Sequence, residues 1–193
     1  MQKSDFVEYK NILIKFLKQP LMEINNLPDW PWEKLLIFQI IITGSCGAVS
    51  AVLEKSFMGI LGRVIMTPLS SLIVIGATTF LFFYLLQIVF QLVVTFKNLY
   101  TLILFSSIPF FILQILSSLV SPIILISLAF TALLLIKGIS ETYKLPKKVI
   151  LKLVGGFYLA LILMWLWGKF EATRGDKYVR TLQIEAPEVK LGE

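Results

Sequence analysis

LSSLIVIGATTFLFFYLLQIVFQLVVT, residues 69–95, runs for 27 positions without one charged side chain. As an α-helix rising about 1.5 Å per residue, it more than covers a hydrocarbon core of roughly 30 Å. It therefore crosses at a tilt or projects a turn beyond the membrane. A helix in a small water-soluble domain keeps a polar side for solvent, and this run lacks one. The composition of the whole chain agrees. Of 193 residues, 57% are hydrophobic and 16% charged, where an ordinary globular chain carries about 25% charged residues.

Outward from this run, four more spans are predicted. Upstream lies 36–53 (LIFQIIITGSCGAVSAVL), also uncharged. Downstream, the stretch from Tyr100 to Lys137 is too long for one crossing, and Ser121-Pro122 interrupts it. Proline removes a helix donor and disfavours helical geometry at the residue before it, so this stretch divides into spans 100–119 and 122–138. A re-entrant pair is the rival division. The last span, 149–168, carries only Lys152, in its first turn, where the ammonium can rise to the interface. The expected fold is all-α, a polytopic membrane protein of five transmembrane helices. An N-terminal region 1–35 precedes the membrane domain 36–168, and a polar tail 169–193 follows it.

Trp30 and Trp32 before the first span, with Trp165 and Trp167 closing the fifth, mark the headgroup borders. With an odd number of crossings the chain ends lie on opposite sides. Eleven of the 18 Lys and Arg residues fall on the N-terminal side, which predicts a cytoplasmic N-terminus. No short apolar core with a cleavage site opens the chain, so no removable signal is expected.

Residues 6–18 (FVEYKNILIKFLK) place Phe6, Tyr9, Ile12, Leu13, Phe16 and Leu17 on one helical arc. This amphipathic helix either lies on anionic lipid or packs on the cytoplasmic end of the bundle. The stretch 19–33, with three prolines, reads as a linker. The loop 54–68 is oddly apolar and suits a short interfacial helix. The tail contains YVRTLQIE, with strand-like alternation, but an isolated strand lacks a partner and disorder is expected.

The chemistry the chain excludes is considerable. With no His and only Cys46, it has neither the commonest general base nor a thiolate metal set. GSCGAVSA sits inside a span, without the Lys-Ser/Thr of a phosphate loop. No catalytic residues, cofactor or metal are expected. The net charge of +6 is spread through loops beside spans, which fits anionic headgroups and argues against nucleic acid.

Two polar or small-residue patterns lie within the spans. Gly44 with Ala48 and Gly47 with Ala51 repeat at four-residue spacing, inviting close approach of another helix, either within the bundle or in a homo-oligomer. Thr79, Gln87, Gln91 and Thr95 form an i, i+4 stripe on the second span. It either lines a hydrated path or hydrogen-bonds Gln39, Gln114 or neighbouring backbone.

The order of spans and three segments resemble the Yip family, five-span proteins named for interaction with Ypt/Rab GTPases, together with bacterial proteins sharing their domain. The resemblance covers roughly residues 20–168. It rests on TPLSSLIVIGATTFLFFYLLQIVFQ, FKNLYTLILFSSIPFFI and above all LLLIKGISETYKLPKK. The last is similar to the family's Gly-hydrophobic-x-Glu-x-Tyr pattern before a basic stretch, through Gly138, Ile139, Glu141 and Tyr143. Before the first span, PDWPW keeps Asp29, Pro31 and Trp32 of the eukaryotic pattern but lacks its Tyr-Gly pair, and the short N-terminal tail matches the bacterial branch.

The resemblance implies a non-catalytic protein of membrane organisation or traffic. Its candidate contact surface for lipid, a membrane-protein or cytoplasmic partner comprises Gly138, Glu141, Tyr143, Lys144, Lys147 and Lys148. The expected location is a prokaryotic cytoplasmic membrane, with the ER or Golgi as the alternative. A small transporter or channel component, using the stripe of the second span, is the rival function.

Overall fold

The structure is a computed structural model and describes residues 3–53, 57–118 and 123–185. Its elements are α1 (Lys3–Lys18), α2 (Pro20–Glu23), α3 (Trp32–Leu53), α4 (Phe57–Phe90), α5 (Phe96–Gln114), a 3-10 turn (Ile115–Ser118), α6 (Ile123–Thr142) and α7 (Lys147–Glu185). Among the described residues there is no strand. Five helices are long and apolar enough to cross a membrane: α3, residues Gly62–Phe90 of α4, α5, α6 and residues Lys147–Gly168 of α7. Their outward side chains are mostly apolar, among them Ile73, Val74, Phe80, Leu133, Leu163 and Met164. Hydrocarbon requires this, since only a helix satisfies its own backbone there.

α5 occupies the middle. It packs against α3, α4 and α6, while α7 lies on α6 and reaches α4 through the Phe82–Phe157 ring pair. Helices cannot associate in lipid by expelling water, so close packing and interhelical hydrogen bonds hold them. Both occur between α3 and α4. A Cβ on Gly47 would lie 2.8 Å from the Arg63 carbonyl oxygen and from Thr67 Oγ1. Gly44 faces Val64 and Pro68, and Ala51 is buried. Gln39, wholly buried in α3, donates from Nε2 to Ser71 Oγ of α4 at 3.1 Å and accepts at Oε1 from the Tyr100 hydroxyl of α5. One amide thus joins three helices.

Several sequence expectations change. The segment 54–68 is not a separate interfacial helix: from Phe57 onward it is the first part of α4, which continues through Pro68, and residues 54–56 lie outside the described residues. A membrane helix tolerates an internal proline when neighbours meet the backbone groups it disturbs. The carbonyl that Pro68 leaves without its helix donor is that of Val64, which faces Gly44 of α3, while Ser71 Oγ and Ser70 Oγ donate to the next carbonyls, of Pro68 at 2.7 Å and of Thr67 at 3.0 Å.

The second span stops at Phe90 rather than Thr95, because Gln91 has φ +51° and Leu92 N–H turns back to the Leu86 carbonyl at 3.4 Å. The Ser121-Pro122 turn lies outside the described residues. The tail 169–193 is helical to Glu185, as the end of α7, in place of the expected disorder or strand. Its residues extend a helix the span has already nucleated, so each adds a backbone bond without a new nucleation cost. Residues 186–193 lie outside the described residues.

Candidate functional site

The N-terminal linker builds the site by crossing one end of the bundle. Pro28 and Pro31 keep residues 27–31 out of helix, and the chain lies over the start of α5 and the end of α6. Ile24 is buried against Gly138 and Leu102; a Cβ on Gly138 would lie 2.8 Å from Leu102 Cδ1 and 3.1 Å from Ile24 Cγ1. Asn25 Nδ2 donates to Glu141 Oε2, and Asp29 forms an ion pair with Lys97. Trp32 meets Tyr100 edge-on at 5.2 Å. Between these groups is a cleft of ≈ 270 Å³, lined by Asn25, Asp29, Asn98, Thr101, Leu102 and Thr142 among others.

α1 closes the same end. Tyr9 packs edge-on to Trp30 at 5.1 Å, and Phe16 edge-on to Phe105 at 5.4 Å. The Trp30 indole N–H donates to Glu8 Oε1 at 2.7 Å, while Lys34 Nζ lies 3.1 Å from Glu8 Oε2 and 3.2 Å from Asp5 Oδ1. The indole hydrogen bond, followed by that from Lys34, holds the Glu8 carboxyl below its ordinary 4.5. Trp30 is therefore a core residue and not part of an interfacial belt, being only 5% exposed. Of the predicted apolar arc of α1, Tyr9 and Phe16 are buried, whereas Phe6 and Leu17 stay exposed.

The motif-bearing segment ends α6 and begins α7. Gly138 and Ile139 are buried, so Gly138 is a packing position and offers nothing to a partner, contrary to its expected place in the contact surface. Glu141 receives Asn25 and lies 3.8 Å from Lys137, which makes it a clasp for the linker. Tyr143 turns its hydroxyl inward, where it has no hydrogen-bond partner among the described residues and where burial pushes the phenol up to about 12.

Lys144 then takes φ +53°, and Leu145 N–H bonds the Ser140 carbonyl at 3.0 Å. This is the six-to-one bond of a Schellman cap, at whose left-handed position glycine is usual. Ser140 Oγ reinforces it by donating to the Leu145 carbonyl at 2.8 Å. Lys144, Lys147 and Lys148 are all exposed.

The polar stripe of the second span does not continue as one line. Thr79 is buried and donates to its own helix at Ile75. Gln87 is half-buried, and Gln91 is exposed beyond the helix end. The amide that does join helices is Gln39, with Ser71 and Tyr100 as partners. Its signal in the sequence was an isolated amide in an apolar run, but its partners lie 32 and 61 residues away. Among the described residues, no group of His, Cys, Asp and Glu is placed to hold a metal ion.

The family model of the Yip1 domain matches residues 15–168, most of the chain. The chain belongs to the Yip1 domain family. Its Yip1 domain therefore takes in the last turn of α1, the linker and all five spans, so the linker, its cleft and the motif-bearing segment lie within the family's own region, while Asp5, Glu8 and Tyr9 of α1 precede it. Together with its five apolar helices, the Yip1 domain marks the chain as an integral membrane protein. No curated protein and no solved structure matches the chain.

Proposed function

We propose that this protein is a non-catalytic organiser of its membrane, recruiting a membrane-protein or cytoplasmic partner through the end of the bundle that carries the linker, α1 and the α6–α7 connector. That end faces the cytoplasm, and the bacterial cytoplasmic membrane is the setting that fits the chain.

The observation that carries the reading is where three lysines stand. Lys144 occupies a left-handed position that costs a side-chain-bearing residue about 1–2 kcal/mol. Lys147 and Lys148 fill the first turn of α7, where the helix dipole disfavours a cation by about 0.3–1 kcal/mol each. Local structure opposes each of the three, and among the described residues none has an ion-pair or hydrogen-bond partner. Strain held at exposed positions points to use outside the fold. A run of basic side chains at a membrane border suits anionic lipid and the acidic surface of a partner.

The experiment is cross-linking of tagged protein in native membranes, followed by mild detergent purification and mass spectrometry. A stoichiometric partner lost on combined Lys144→Glu, Lys147→Glu and Lys148→Glu substitution is the expected result. Unchanged partners and unchanged lipid in that variant would sink the assignment.

A further inference from the structure

α1 docks on the bundle without sealing against it. Beneath it a cleft of ≈ 280 Å³ opens between α1, the middle of α3 and Ile112 of α5, its walls formed by side chains such as Phe6, Leu13, Ile41, Ile42 and Cys46. Ile41 and Ile42 stand about ten residues into α3, roughly 14 Å below its start, at the depth of hydrocarbon. An apolar space there takes in acyl chain rather than water.

Among the described residues, the one charged side chain that lines this cleft is Lys10. The carboxylates nearest it in sequence are engaged elsewhere: Asp5 and Glu8 with Lys34, and Glu23 with Lys15. Lys10 is exposed and, among the described residues, has no ion-pair or hydrogen-bond partner. On the same helical stripe, Phe6 and Leu17 are 52% and 45% exposed, giving apolar surface to either side of the ammonium.

The geometry points to a bound anionic phospholipid, with one acyl chain in the cleft beneath α1 and its headgroup phosphate on Lys10. The lysine, long enough to raise its ammonium toward the membrane border, favours anionic headgroups, since in zwitterionic phosphatidylcholine the choline cation offsets the phosphate it meets. The apolar walls bind chain of any kind. In this arrangement α1 is both a docked helix and the roof of a lipid site. The site is separate from the Lys144 surface and does not depend on it.

The test uses full-length protein in mild detergent with phosphatidylglycerol or phosphatidylcholine of identical chains, each carrying a diazirine in the chain. After irradiation, adducts are mapped by mass spectrometry. Phosphatidylglycerol adducts should concentrate in residues 6–13 and 41–46. Lys10→Gln, a surface change that leaves the fold intact, should lower their yield roughly fivefold, the worth of one basic side chain near an anionic surface. Lys18→Gln, which removes an exposed lysine of α1 outside the cleft, should leave it unchanged. Equal labelling by the two lipids at 41–46, a yield insensitive to Lys10→Gln, or adducts confined to the outer faces of α4 and α7 would each overturn the proposal.

Discussion

α5 and the membrane segment of α7 differ in a direction opposite to that of soluble proteins. The α5 window has a mean hydropathy of 1.5 and is 56% buried, while that of α7 has 2.2 and is 17% buried. The more polar helix is the inner one. In water the apolar helix seeks the core, but in lipid every helix is already in apolar surroundings and gains little by burial. Polar groups that need partners are what belong inside. α5 supplies Tyr100 and Thr101, both hydrogen-bonded, to the interior, and α7 offers lipid a surface of Leu159, Leu163 and Met164.

The sharpest way to break this contrast is to enlarge glycines on the two sides of it. Gly138→Leu pushes a side chain into Leu102 of α5 and should destabilise the protein by about 1–3 kcal/mol. At Gly156 on α7 an added Cβ meets nothing within 4 Å among the described residues, and Gly156→Leu should leave thermal stability in detergent unchanged or slightly raised. Equal losses would remove the distinction between inner and outer helices.

At the seam between α6 and α7, Lys144→Gly relieves a left-handed side chain. It should raise the unfolding free energy by about 1 kcal/mol while weakening anionic-lipid binding. Parallel changes in both quantities would mean that the lysine is structural.

Within the core, a double-mutant cycle on Gln39→Leu and Tyr100→Phe should give a coupling of about 0.6 kcal/mol, and at most about 1.7 kcal/mol, the range of membrane interhelical hydrogen bonds. Zero coupling would reduce the polar interior of α5 to a packing feature.

The smallest effect concerns pH. Because Glu8 titrates below its ordinary 4.5 when α1 is docked, its contribution is complete above that value and is lost as pH falls through the lowered one. Protection factors of residues 5–18, which remove the intrinsic slowing of amide exchange in acid, should fall over that interval in the natural protein. With Glu8→Gln, the exchange should carry no such step.

The spans were legible because an uncharged run longer than a bilayer admits few other readings. Their limits were less so. Pro68 looks like a boundary in sequence, yet the helix passes through it where α3 approaches closely at Gly44 and Gly47. Gln91 looks like the next member of a helical stripe, and only the backbone shows that the helix has ended. The Gly138 motif was visible, but its meaning depends on Ile24 and Asn25, more than a hundred residues upstream. No local pattern links those residues to α6. Lys10 likewise reads as one more cation on an amphipathic helix until the cleft beneath it is seen.

α7 has one more consequence, a matter of reach. Of its 39 residues, those of Lys147–Gly168 suffice to cross the membrane, and the helix continues to Glu185. The 17 further residues extend about 25 Å past the hydrocarbon edge, several times the roughly 6 Å depth of a headgroup layer. On the side opposite the linker, the protein thus carries a rod that sets a fixed stand-off: whatever grips its tip is held clear of the lipid surface rather than laid against it.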